Sequence, residues 1–199
     1  VGRALTEMFP RTPHELGEAL MTVTELNGRP LPRDVQLELR RGEIFGMAGL
    51  VGAGRSETIR TLFGLEPARS GRLTVAGTRL TATAMRPDKA LAHGMDLLSE
   101  NRKEEGLATA LPIRLNICLS SLKRIATLGV VGRRRETAAT MPWCRELGIR
   151  CRDADQPAGH LSGGNQKKVA LARLLNHDSD ILFLDEPTRG IDVGSKAEI

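Results

Sequence analysis

The chain has 199 residues, with 29 lysines and arginines against 24 aspartates and glutamates, a formal charge of +5 and 40% hydrophobic residues. A chain of this size buries roughly 70% of the surface that its unfolded form exposes, so its core needs neither a disulfide nor a structural metal, and the composition excludes disorder and collagen-like repeats. No stretch reaches the ~18 uncharged apolar residues of a membrane span, the longest candidate lying between Glu43 and Arg55. Cys118, Cys144 and Cys151 are odd in number and lack CxxC spacing, which predicts idle reduced thiols rather than a disulfide framework or a zinc site. Four Phe, one Trp and no Tyr leave few rings on which bases could stack.

In chain order, Val1-Gly2-Arg3 lacks an initiator Met and reads as a cut made inside a longer protein, with residues 1–20 as a linker rich in Pro, Gly and charge. Residues 21–26 and 35–39 alternate in the manner of strands, with Asn27-Gly28 as a turn. Residues 43–48 read as a third strand that runs into glycines and then a helix with Ile59, Leu62 and Phe63 on one face. Residues 72–77 and 95–99 are predicted strands, and residues 107–160 form a helical insert with helices near 115–122 and 136–147, the second broken or kinked at Pro142. A helix over 167–176 and a fully buried strand over 180–185 follow, and residues 190–199 start a turn and another helix. Together these elements predict an α/β fold with one mixed sheet.

Gly49-Leu50-Val51-Gly52-Ala53-Gly54-Arg55-Ser56 fits the phosphate-loop pattern GxxxxGK[ST], except that Arg55 replaces Lys. Such glycines let successive backbone N–H groups turn inward on phosphate oxygens, the helix N-terminus adds its dipole, and a hydroxyl at Ser56 can ligate Mg²⁺. The competing explanation is a glycine-rich tight turn. The predicted strand over 180–185 ends in Asp185-Glu186, where Asp185 suits a Mg²⁺ ligand and Glu186 the polarisation of an attacking water. Leu161 begins Leu161-Ser162-Gly163-Gly164-Asn165-Gln166 and lies 24 residues ahead of Asp185, leaving room for one helix and a turn. Ser162, Gly163 and Gly164 offer a hydroxyl and bare amides at a helix N-terminus, where the plainer explanation is a Ser N-cap followed by a Gly pair.

In their order these segments resemble the phosphate loop, the LSGGQ signature and the acidic strand end of ATP-binding-cassette (ABC) ATPases, and Gly190-Ile191-Asp192 is similar to their D-loop. Ser99–Leu107 and Asp185–Gly194 narrow the resemblance to the second nucleotide-binding half of the ATPase subunit of bacterial importers for ribose, galactose, arabinose or xylose. The resemblance implies an ABC-type P-loop NTPase fold over residues 21–199, with a RecA-like core, an antiparallel β subdomain and a helical subdomain, stopping before the histidine switch. It implies ATP and Mg as cofactors. The implied nucleotide contacts are Gly49, Leu50, Val51, Gly52, Ala53, Gly54, Arg55, Ser56, Glu57, Leu161, Ser162, Gly163, Gly164, Asn165 and Asp192. The implied metal ligands are Ser56, Glu100 and Asp185, and the implied catalytic residue is Glu186. The implied partners are the preceding nucleotide-binding half of the same chain, transmembrane permease subunits and, indirectly, a periplasmic sugar-binding protein, at the cytoplasmic face of the cell membrane and without nucleic acid.

Departures from the family pattern shape the expected activity. Arg55 keeps the charge of Lys but is longer, planar and forked. Leu26, Asn27 and Arg29 stand where relatives place an aromatic on adenine, and Glu100 stands where most have the Q-loop Gln. These changes predict that this half caps ATP held by the other half, while its own site hydrolyses slowly and the isolated fragment turns over negligibly. Two further readings stay open: a soluble ABC ATPase acting on nucleic acid or ribosomes, suggested by Arg133-Arg134-Arg135, and a regulatory module that never hydrolyses its nucleotide.

Overall fold

The computed structural model describes residues 15–100 and 106–189. The expectations for Val1–Arg3, for the middle of Ser99–Leu107 and for Gly190–Gly194, Asp192 included, lie outside the described residues. The chain divides into two compact units, Val1–Met95 and Asp96–Ile199.

In the first unit, β1 (Ala19–Asn27) is flanked by β2 (Val35–Arg40) and β3 (Ser70–Val75), and β4 (Thr78–Thr81) extends the sheet. All pairings are antiparallel, with Val23 opposite Leu37 on one side and Leu73 on the other. Both ladders of β1 shift register between Val23 and Asn27, and Glu25 takes φ 54° there, as a bulge requires. Alternation places Met21, Val23, Leu73 and Val75 in the core. Residues 72–77 are not one strand. Ala76 and Gly77 both have positive φ, 46° and 78°, and form the two-residue turn into β4.

Residues 43–48 are not a strand. They make no ladder pairing among the described residues, and Ile44 is 89% exposed. An apolar, β-rich run becomes a strand only when neighbours accept its backbone hydrogen bonds, and none is in place here. The helix that follows, α1 (Arg55–Phe63), buries Ile59, Leu62 and Phe63 as its spacing predicts. It ends on Gly64 at φ 84°, where an added Cβ would meet the Arg86 backbone at 2.6 Å. A short helix, α2 (Pro87–Ala92), starts with Pro at its first position.

In the second unit, β5 (Met95–Leu98) pairs with β6 (Ile181–Leu184), so the α/β chain carries two sheets among the described residues instead of one mixed sheet. β6 is half-buried, not fully buried: Ile181 and Phe183 face inward while Leu182 and Leu184 are exposed. Between the two strands lie α3 (Ile113–Cys118), α4 (Leu122–Ile125), α5 (Arg133–Glu146) and α6 (Gly163–His177). Pro142 does not break α5, which runs continuously from Arg133 to Glu146. Ile113, Ile117, Cys144, Leu161, Val169 and Leu174 form the centre of this unit's core.

Candidate functional site

In the first unit the residues from Gly49 to Gly54 curl back on themselves. The Ala53 N–H donates to the Leu50 carbonyl at 3.1 Å, and Gly52 and Gly54 have φ values of 82° and 86°. Those angles exclude ordinary side chains, and at Gly49 an added Cβ would stand 3.0 Å from the Ala53 Cβ. Leu50 and Val51 are almost fully exposed. Gly54 is the N-cap of α1 and has no side chain with which to cap it; Arg55, Ser56 and Glu57 form the first turn. Thr58 instead turns back, its hydroxyl donating to the Gly54 carbonyl at 2.6 Å. A helix N-terminus that begins on glycine lets backbone N–H groups approach an anion such as a triphosphate. Glu57 in that turn opposes an anion; the Arg55 guanidinium favours one.

The second unit assembles the other residues. Ser162 caps α6 and is exposed. Its Oγ accepts from the Asn165 side-chain amide at 2.9 Å and more distantly from the Asn165 N–H at 3.5 Å. Asn165 Oδ1 in turn accepts the Arg150 N–H at 2.8 Å. That backbone donor fixes which way the amide faces, since it can meet only the oxygen. Leu161 precedes the exposed turn. It is 7% exposed and part of the core, and its carbonyl accepts Gln166 Nε2 at 3.0 Å, so it anchors the turn that Ser162, Gly163 and Gly164 present.

At the end of β6 two consecutive carboxylates diverge. Asp185 is buried and its N–H donates to the Leu98 carbonyl at 2.9 Å, whereas Glu186 is exposed and its backbone takes φ 46°. Arg189 closes the turn, its N–H donating to the Glu186 carbonyl at 3.1 Å. The Arg189 side chain also pairs with Glu100, so Glu100 and Glu186 share a partner and the Glu100 charge is balanced. Lys167, on the second turn of α6, donates to the same Glu186 carbonyl at 2.8 Å. Sequence reasoning missed Lys167 and Arg189. The available signal was a lysine on the inward face of a helix, which at spacing alone is indistinguishable from a surface cation.

Among the described residues no three His, Cys, Asp or Glu side chains stand close enough to cage a metal. The carboxylates of Asp185 and Glu100 in the second unit, and by itself the Ser56 hydroxyl in the first, are oxygen donors of the type Mg²⁺ takes, an ion commonly held by one or two protein oxygens together with phosphate and water. Of the three consecutive arginines, all exposed, Arg133 pairs with Asp155 and Arg135 donates to the Thr127 hydroxyl. No helix among the described residues is long and apolar enough to cross a membrane.

A family profile described as ABC transporter matches residues 32–189. The chain belongs to this family. A putative ribose/galactose/methyl galactoside import ATP-binding protein 3 from Burkholderia ambifaria is 46% identical, over 100% of this chain and 39% of the relative. A ribose import ATP-binding protein from Streptomyces avermitilis is 42% identical with the same coverage. The chain thus spans about two fifths of the length of these ABC relatives. Among solved structures, a nucleotide-free ATP-binding cassette from an ABC transporter superposes with a TM-score of 0.73 at 16% identity, covering 91% of this chain and 74% of that one. The cassette MJ0796, in a dimeric post-hydrolysis state bound to ADP and Pi, gives 0.73 at 19% identity, covering 90% and 79%. These two establish the ABC ATPase fold.

Proposed function

We propose that this chain is the second nucleotide-binding half of the ATP-binding subunit of a bacterial sugar importer, coupling ATP binding and hydrolysis to carbohydrate uptake at the cytoplasmic face of the cell membrane. Its partners are the preceding nucleotide-binding half, the membrane permease subunits and, through them, a periplasmic sugar-binding protein. Relatives named for ribose and galactose import match along the whole chain, and that supports the substrate class.

The residues divide the work. The first turn of α1, at Gly54–Ser56, binds nucleotide phosphates through backbone N–H groups, with the Arg55 guanidinium in place of the usual ammonium. Mg²⁺, when bound, neutralises phosphate charge, and Asp185, Glu100 and Ser56 are the residues that would hold it. Glu186 takes a proton from the attacking water. Ser162 and the Gly163–Gly164 amides cap ATP held by the other half, and this capping is the half's main contribution. The observation that carries this reading is the exposed Ser162 hydroxyl at the N-terminus of α6, whose oxygen accepts from the Asn165 amide.

Sugar uptake by cells carrying the full-length subunit tests the division. Ser162→Ala is expected to lower uptake at least tenfold, a larger effect than the ~1 kcal/mol of stability lost with an N-cap, and Arg55→Ala to lower it no more than threefold. Uptake lost with Arg55→Ala but kept with Ser162→Ala would reverse the assignment.

A further inference from the structure

Lys167 is 3% exposed, yet its ammonium has a defined target, the Glu186 carbonyl at 2.8 Å. A desolvated ammonium is costly unless it is hydrogen-bonded, and a charged donor makes the stronger kind of bond. With the Arg189 N–H at 3.1 Å, that carbonyl accepts two hydrogen bonds and both its lone pairs are engaged. The residue so held is in an unusual state. Glu186 has φ 46°, a left-handed conformation that a residue with a Cβ keeps only where its surroundings determine it. Its carboxylate is exposed, on the open side of the alternation that β6 begins, next to the buried Asp185.

We propose that Lys167 is a positioning residue for ATP hydrolysis, holding the Glu186 peptide in the left-handed turn that presents its carboxylate to the reacting water. The inference rests on the reading of Glu186 as the base and deepens it. Lys167 need not touch nucleotide. It acts on the backbone beside the base, and it does so from α6, the same helix that Ser162 caps.

Single-turnover hydrolysis of radiolabelled ATP by the full-length subunit, at less than one ATP per site, resolves the phase due to this half. Glu186→Gln identifies that phase by removing it. Lys167→Met preserves length and burial but removes the donor, and it is expected to slow the same phase at least tenfold, with nucleotide affinity and melting temperature unchanged. Lys167→Gln retains an N–H donor one bond shorter and is expected to run at least threefold faster than Lys167→Met. If Glu186→Gln leaves every phase intact, the assignment of the base falls and this inference falls with it. If Glu186→Gln removes a phase that Lys167→Met leaves at the wild-type rate, or if the Met and Gln variants are equally slow, the role of Lys167 alone is overturned.

Discussion

Asp96, at the start of the second unit, shows how costly an interior charge is. It is 2% exposed, its Oδ1 accepts the Leu97 N–H at 2.8 Å, and its Oδ2 lies 3.4 Å from His177 Nδ1. Burial raises its carboxyl above the usual carboxylate range, against the pull of that hydrogen bond and of the Arg173 and His177 side chains. A carboxyl with a raised folded pKa favours the folded state at low pH. Its contribution is complete below the ordinary value of 3.8 and is lost as pH rises through the folded value. Melting curves from pH 4 upward should therefore carry a downward slope from this group, and Asp96→Asn should remove that slope; an unchanged slope would assign it elsewhere. Two of the cysteines, Cys118 and Cys144, are buried. Cys144 is buried and its thiol is pushed up to about 12, by desolvation first and by the neighbouring Cys151 second, which leaves little thiolate to react.

Among the helices of the second unit, the decisive polar element is Arg114 on α3. Its side chain is 15% exposed and pairs with Glu136 of α5, itself 6% exposed, while its Nε reaches Asp155 at 2.7 Å. Removing one partner of a buried pair strands the other, at a typical cost of 3–5 kcal/mol, whereas replacing both with apolar groups is often close to neutral. Arg114→Met should thus lower stability in urea by about 3–5 kcal/mol, and Arg114→Met with Glu136→Leu should recover most of it. A double variant no more stable than the single one would refute the pairing. This element level is also where sequence reading succeeded and failed. Local chemistry was sufficient for α1, with Ile59, Leu62 and Phe63 on one face, and for α6, announced by Ser162 and two glycines. It was insufficient wherever the neighbour decides: residues 43–48 have strand composition without a strand to pair with, and β6 alternates because only one of its faces is covered.

Across the whole chain, the family and its motif order were legible because a phosphate loop, a signature and an acidic strand end are contiguous in sequence. What holds them was not. The Arg189–Glu100 pair spans 89 positions, and the Lys167–Glu186 contact spans 19, distances that no local pattern encodes. The two compact units also differ in how their functional helices begin. α1 starts on a bare glycine, while α6 starts on a serine satisfied by its own Asn165. A glycine start lets the backbone approach phosphate closely, and a serine start adds a hydroxyl to the amides.

The stretch from Ile44 to Val51 offers a practical handle. Phe45 is 47% exposed, Leu50 86% and Val51 100%, in a segment without regular secondary structure before the turn at Val51. Chymotrypsin cleaves after bulky apolar side chains where an extended backbone fits its cleft, and accessible irregular segments are the usual first cuts. Under mild digestion the native chain should be nicked there first, giving a protection assay that needs neither transport nor turnover: any ligand or partner that covers this strip would slow the cut.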